Sequence, residues 1–203
     1  MNYRRLLKSF AFAVVFLFLL GFAYPTITAE ITQIAIPFQS QGSPVEINGT
    51  IYGSYLLSDA FNASYFFHPR PSGGNISVIG SNQTLNETER YISQFKAENP
   101  GVNISQIPYA MVAYSASGQD PNIPILGAYD QVARIAGAIN SIALNKSVNV
   151  TITGLESVLN QKINDYEQRN FPIFGTYYVN TVSLNVWILN YMVSSNMLQP
   201  SAL

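Results

Sequence analysis

Residues 10–24 read FAFAVVFLFLLGFAY, an unbroken apolar run without a charge. A helix needs about 20 such residues, rising about 1.5 Å each, to cross a hydrocarbon core of about 30 Å. Leu6 and Leu7 extend the run, and Lys8 can lay its stem along lipid while its ammonium reaches the headgroups. Arg4, Arg5 and Lys8 precede the run. The positive-inside rule therefore keeps the N-terminus in the cytoplasm and sends everything after Tyr24 outside. A secretory signal peptide shows the same order of basic and apolar regions. Cleavage is disfavoured because Pro25 and Ile27 crowd the small residues Thr28 and Ala29. Ile27, Ile31, Ile34 and Phe38 also continue a helical apolar rhythm that a discarded leader does not need. The chain is read as a cytoplasmic N-terminus, transmembrane anchor and emerging helix over residues 1–38, then an extracytoplasmic domain over residues 39–203.

About 165 residues beyond the anchor suffice for one domain with its own core. Net charge is −1, which gives no electrostatic case for nucleic acid. Charged residues make up 10% of the chain, against about 25% in ordinary soluble domains. Low charge suits an acidic exterior, where few native carboxylate pairs remain to be lost on protonation. Cysteine is absent, so disulfides, zinc-thiolate sites and thiol nucleophiles are excluded. Asn48, Asn62, Asn75, Asn82, Asn86, Asn103, Asn145 and Asn149 each open an N-x-S/T acceptor sequence, a density that leans towards a glycosylated outer face.

Along the exported part, residues 45–57 are β-branched and aromatic around an Asn48-Gly49 turn signal, and read as strands. Residues 61–80 read as an aromatic, Pro- and Gly-rich loop. Thr84 and Glu87 form a capping box for a helix expected to stop at Asn99-Pro100-Gly101. Residues 110–115 read as a short buried strand. Pro124 suits the first turn of a helix with Leu126, Tyr129, Ala133, Ala136 and Asn140 on one face. Residues 154–168 repeat Leu155, Val158, Leu159, Ile163 and Tyr166 at helical spacing. Residues 174–179 read as a strand. Asn180 caps a last helix carrying Val182, Val186, Leu189 and Met192. The sum is a mixed α/β fold: one N-terminal transmembrane helix, then a single extracytoplasmic α+β domain with helices on a small sheet.

Catalytic patterns are lacking. There is no phosphate-cradling G-x-x-x-x-G-K-[ST] loop and no strand-borne G-x-G-x-x-G. His68 is the only histidine, which excludes H-E-x-x-H and any two-histidine metal site. No G-x-S-x-G elbow supplies a nucleophile. Two polar constellations remain. Phe66, Phe67, His68, Arg70 and Pro71 sit in a proline-stiffened loop, read either as docking residues for a partner or as a structural loop bonded to nearby backbone. Ser117, Gly118, Asp120 and Pro121 read as a structural turn between a strand and a helix, with Gly118 at positive φ. Arg134, inside an apolar helix, must snorkel or pair, with Asp130 four residues earlier as the expected partner.

Taken together, the segments resemble the C subunit of the Kdp potassium-transporting ATPase. The anchor ends in Gly21-Phe22-Ala23-Tyr24-Pro25. Gly53-Ser54-Tyr55-Leu56-Leu57 followed by Phe61 is similar to the family's G-S-x-L-I…F. Residues 65–72, YFFHPRPS, resemble Y-F-H-x-R-P-S with one residue extra. Residues 115–123, SASGQDPNI, resemble S-A-S-G-x-D-P-x-I. Gln131-Val132-Ala133-Arg134-Ile135-Ala136 resembles Q-V-x-R-V-A, and Val179-Asn180 with Leu184-Asn185 echoes V-N…L-N. The stretch from Gly73 to Asn82 is shorter than the family's, and Gly137-Ala138-Ile139-Asn140 is neutral where the family is basic.

The resemblance implies an accessory, non-catalytic subunit in the cell membrane. Its implied partners are a channel-like potassium-selecting subunit, a P-type ATPase subunit, a small membrane peptide and membrane lipid. ATP and K+ would be handled by the complex. The resemblance also implies a catalytic chaperone that raises ATP affinity, with nucleotide near Gln131. The charge argument places Gln131 outside and ATP is inside, so the two expectations pull apart. The alternative is a stand-alone membrane-anchored binding module or hydrolase, favoured by the 13 Tyr and 12 Phe that could line a groove.

Overall fold

Helix α1 spans Tyr3–Phe18, a π turn covers Leu19–Ala23, and helix α2 runs Tyr24–Ala35. In this computed structural model, which describes residues 3–47, 49–58, 61–72, 80–169, 171 and 174–199, they form one helix. Tyr3–Ala35 is 33 residues long and apolar enough to cross a membrane, and its most apolar stretch buries nothing within the chain. At 1.5 Å per residue it measures about 50 Å. The tilted rings of Phe12 and Phe16 pack 4.6 Å apart, and Phe18 stacks on Phe22 at 5.4 Å between centroids.

The π turn has a local cause. Pro25 lacks an N–H, and its ring would strike the Gly21 carbonyl in a regular α-helix. The chain widens instead, and the Tyr24 N–H bonds the Leu19 carbonyl five residues back. The Thr26 and Thr28 hydroxyls donate to the Phe22 and Tyr24 carbonyls at 2.8 Å, the kind of bond that re-satisfies backbone beside a proline in lipid. Ile36 precedes Pro37 and leaves the α region, at φ −141° and ψ 62°, which ends α2. A single further turn, α3, covers Pro37–Ser40.

Contacts divide the chain into two compact units, residues 1–44 and 45–203. From the boundary onward, strands β1 (Pro44–Ile47) and β2 (Thr50–Ser54) pair as a hairpin. Gly49 adopts φ +78°, which the expected turn requires. Helix α4 runs Asn82–Glu98. It stops where the sequence predicts, but its cap is Ser81 rather than Thr84. Ser81 Oγ accepts the Thr84 N–H at 3.2 Å and bonds the Thr84 hydroxyl at 3.0 Å, so the earlier serine wins and adds most of a turn.

The strand expected at residues 110–115 does not form. Pro108 opens a 3₁₀ turn over Tyr109–Val112, with its carbonyl accepting the Met111 N–H at 2.8 Å. Met111 and Val112 are buried, which explains the apolar run. Strand β3 (Asn122–Pro124) leads into a short helix α5 (Ile125–Tyr129), and the chain breaks at Asp130 and Gln131 before α6 (Val132–Asn145). That break resets the helical phase. The buried face of α6 is Val132, Ile135, Ala136, Ile139 and Ala143, while Leu126 and Ala133 are exposed, against the expected single face.

Helix α7 (Ile152–Asp165) buries Leu155, Leu159 and Ile163, as the spacing predicts. Strands β4 (Gln168–Arg169) and β5 (Tyr177–Asn180) follow, and α8 runs Thr181–Ser194. Asn180 caps α8 by accepting the Ser183 N–H at 3.1 Å. The sheet has the order β3-β5-β4 and is antiparallel throughout, with Ile123 opposite Val179. Both are fully buried, and with Phe67, Ile135, Ile163 and Ile188 they form the centre of the core. The fold is mixed α/β: one membrane-length helix at the N-terminus, followed in sequence by a small sheet-containing domain.

Candidate functional site

The proline-stiffened loop is held by two buried amides. Asn185, on α8, accepts the Phe67 N–H at 2.7 Å and donates to the Phe67 carbonyl at 2.9 Å. Gln131, at the break before α6, accepts the His68 N–H at 2.7 Å and donates to the His68 carbonyl at 3.2 Å. Each side chain thus treats one residue of the loop as a strand neighbour would, with one bond in each direction. Both amides are fully buried, so no water competes for these bonds.

Gln131 has nothing left over. Its Nε2 also donates to the Gly127 carbonyl at 3.1 Å, and its Oε1 also accepts from Arg134 at 2.7 Å. Two donors and two acceptor positions are the full capacity of an amide. A nucleotide contact would have to break one of these buried bonds.

Arg134 does not pair with Asp130. Its guanidinium donates to Asn99 Oδ1 at 3.1 Å, to the Ser64 and Phe66 carbonyls at 2.5 and 3.0 Å, and to Gln131. Three of those acceptors lie on the loop or at the C-cap of α4, and the fourth, Gln131, caps α6 itself. Burial lowers its pKa to about 10, partly opposed by Glu98, so it stays charged at neutral pH. Burial likewise raises the Asp130 carboxyl, whose buried Oδ2 has no hydrogen-bond partner among the described residues.

Phe66 and Phe67 of the loop face the core, where Phe67 is fully buried. His68, Arg70 and Pro71 are half-buried. His68 Nδ1 lies 2.9 Å from Glu98 Oε2, and Nε2 lies 3.3 Å from the Ala63 carbonyl. That His68 bond holds the Glu98 carboxyl below its ordinary value, although burial pushes the other way. Arg70 donates to the carbonyls of Ala110, Ala113 and Tyr114 at 3.1, 3.4 and 2.8 Å, and to Asp120 at 3.4 Å. The 3₁₀ turn at Tyr109–Val112 matters here, because it gathers carbonyls around one cation.

The second constellation shapes the same corner. Gly118 adopts φ +68°. Ser117 Oγ accepts the Gln119 N–H at 3.2 Å, and Asp120 Oδ1 accepts the Asn122 N–H at 3.0 Å. The Pro121 carbonyl accepts both the N–H and the hydroxyl of Thr181, at 2.9 and 2.8 Å. The loop expected from the sequence extends to residue 80, and its residues 73–79 lie outside the described residues.

Between the loop and α4 lies an open cavity of about 760 Å³, lined by His68, Arg70, Arg90, Tyr91, Glu98 and Tyr114 among others. The Tyr91 and Tyr114 hydroxyls bond each other across it, and Arg90 stacks 4.5 Å above the Tyr91 ring. Burial, with the Tyr114 bond second, pushes the Tyr91 phenol up to about 12. Among the described residues no group of three or more His, Cys, Asp or Glu comes together to hold a metal ion. His68 is tied on both ring nitrogens, to Glu98 and to the Ala63 carbonyl, and so is not a free base facing the cavity.

Fold and site together define a class: a small α/β domain, its polar centre locked by its own hydrogen bonds, preceded in sequence by one helix fit to cross a membrane. The profile of the KdpC family, described as K+-transporting ATPase, c chain, matches residues 6–189. The chain is 50% identical to the potassium-transporting ATPase KdpC subunit of Thermoplasma acidophilum, over 96% of this chain and 97% of that protein. It is likewise 50% identical to the KdpC subunit of Thermoplasma volcanium, over 93% and 92%. A third relative, the KdpC subunit of Caldanaerobacter subterraneus subsp. tengcongensis, is 32% identical over 90% of this chain and 93% of its own. The chain belongs to the KdpC family, the c chain of the K+-transporting ATPase.

Proposed function

We propose that this chain is the accessory, non-catalytic subunit of an ATP-driven, high-affinity potassium import complex. Its anchor runs with the N-terminus in the cytoplasm, and its second unit, residues 45–203, lies outside. There it stabilises the assembly of the channel-like and P-type ATPase subunits and their small membrane peptide. The observation that carries the reading is a family match running through the anchor and the domain alike, from residue 6 to residue 189. Arg4, Arg5 and Lys8 before the span support the orientation.

The saturated hydrogen bonding of Gln131 favours a chaperone effect on ATP affinity exerted through assembly rather than by contact with nucleotide. The outward atoms of His68, Arg70 and Pro71 are the part of the loop that can meet a partner, while Phe66 and Phe67 serve it from beneath. The test is a pull-down of the full chain from detergent-solubilised native membranes. Co-recovery of large multi-span subunits in constant ratio is expected, and recovery of the chain alone overturns the reading. The polar cavity favours one second reading, a stand-alone binding module. A ligand-induced thermal shift of the chain free of other subunits would support that instead.

A further inference from the structure

The sequons are not scattered at random over the fold. The described sequon asparagines, Asn62, Asn82, Asn86, Asn103, Asn145 and Asn149, are all exposed. Of the nine other described asparagines, only Asn164, Asn190 and Asn196 are exposed, and Asn99 and Asn185 are buried. A sugar is bulky and polar, so an acceptor must lie at the surface.

Exposure is necessary but not sufficient. The transferring enzyme must draw the acceptor segment into its own active site, which a helix or a pinned loop resists. Asn82 and Asn86 lie in the first two turns of α4. The Asn62 sequon is pinned, because its Ala63 and Ser64 carbonyls bond His68 and Arg134. Three acceptors lie instead at the ends of elements, where helices fray, and no side chain from another described segment clasps them. Asn103 precedes a 3₁₀ turn, and its Oδ1 takes both the N–H and the hydroxyl of Ser105, at 3.1 and 3.0 Å. The sequon therefore folds back on itself and leaves Nδ2 without a hydrogen bond among the described residues. Asn145 is the last residue of α6, and Asn149 lies on the connector to α7, which turns through Ser147 at φ +57°.

We propose that Asn103, Asn145 and Asn149 are N-glycosylation sites. The donor class is an oligosaccharide carried on a polyprenyl phosphate or diphosphate. Nδ2 forms a bond to the anomeric carbon of the sugar. The bond from that carbon to the phosphate oxygen breaks, the lipid phosphate leaves with the electron pair, and Nδ2 gives up one proton. The proposal rests on the outward placement of the domain argued above. It has a structural corollary: the end of the domain bearing the α6–α7 connector stays clear of partner subunits.

The test uses the full chain purified from the membranes of the organism that makes it, read by peptide mass spectrometry. Peptides containing Asn103, Asn145 and Asn149 are expected to carry hexose-bearing mass additions, with Asn82 and Asn86 bare. Each of Asn103→Gln, Asn145→Gln and Asn149→Gln should remove one step of electrophoretic mobility. Placement is read separately with Gln161→Cys, an exposed position in a chain with no other cysteine, and a membrane-impermeant maleimide on intact cells. Bare asparagines with maleimide labelling of the Gln161→Cys variant overturn the glycosylation alone. Bare asparagines with no labelling overturn both it and the outward placement.

Discussion

Replacing Asn185 with alanine removes both bonds to Phe67 at one stroke. The lost bonds measure 2.7 and 2.9 Å and lie wholly inside the domain. Each is worth about 1 kcal/mol net, and a buried donor or acceptor left unpaired costs about 1–3 kcal/mol. Some of the freed backbone would relax, so the sum comes to about 3–4 kcal/mol. For a domain of 150–250 residues each kcal/mol moves Tm by about 2–4 °C, so Asn185→Ala should melt about 6–16 °C lower. The assay is built in: Trp187, the only tryptophan, lies two residues along α8 and stacks 5.4 Å from Tyr191. Its fluorescence reports unfolding of the full chain in detergent. Asn164→Ala serves as the control, because it removes a 2.6 Å bond from Tyr129 at an exposed position and should cost no more than about 0.5 kcal/mol. Asn185→Asp keeps an acceptor for the Phe67 N–H but sets a carboxylate against the Phe67 carbonyl. It should be at least as unstable at neutral pH and partly recover in acid, where the protonated group can donate. An Asn185→Ala protein melting within about 2 °C of the parent would refute the clamp.

Two further outcomes follow from the same corner. Arg134→Lys keeps the charge but cannot span Asn99, Ser64, Phe66 and Gln131 at once, because an ammonium is a point donor. It should lose about 2 kcal/mol in urea unfolding, and an unchanged midpoint would show the fork to be dispensable. His68→Ala removes the bond that lowers the Glu98 carboxyl, so the Glu98 titration followed by carboxyl NMR should move up towards its ordinary 4.5. A depressed carboxylate contributes stability that is present above its ordinary value and lost as pH falls through the folded one. The parent should therefore lose stability below about pH 4.5 more steeply than the variant, and matching acid limbs would contradict the pairing.

Much of this was legible in the sequence where a residue's local chemistry decides its conformation. Gly49 and Gly118 take the positive φ their turns need, Asn180 caps α8, and the spacing of Leu155, Leu159 and Ile163 marks the buried side of α7. Where two local signals compete, the outcome turns on neighbours. Ser81 displaces Thr84 as a cap by starting the helix earlier, and Pro108 bends residues 109–112 into a turn although their side chains suit a strand. The break at Asp130-Gln131 was invisible to periodicity, because apolar residues stand at helical spacing on both sides of it. The amide clamp left a trace that spacing alone does not interpret. Asn185 falls three residues after Val182 and four before Leu189, and Gln131 falls between Ala128 and Ile135, so both sit on apolar stripes. A polar side chain in such a place must find partners inside the fold. Which backbone it finds depends on contacts 118 and 63 residues away along the chain.

The π turn at Leu19–Ala23 changes how the anchor meets its surroundings. One extra residue in a turn shifts the helical phase by about 100° at 3.6 residues per turn. The stripe through Phe12 and Phe16 therefore does not run on into the one through Ile27, Ile31 and Ile34; it steps sideways at the widened turn. A neighbouring helix that follows the first stripe loses its seam partway across the bilayer. A single span can in this way offer different sides to different neighbours in the two leaflets. Deleting one residue between Leu19 and Ala23 would splice the two stripes into one and leave the composition almost untouched.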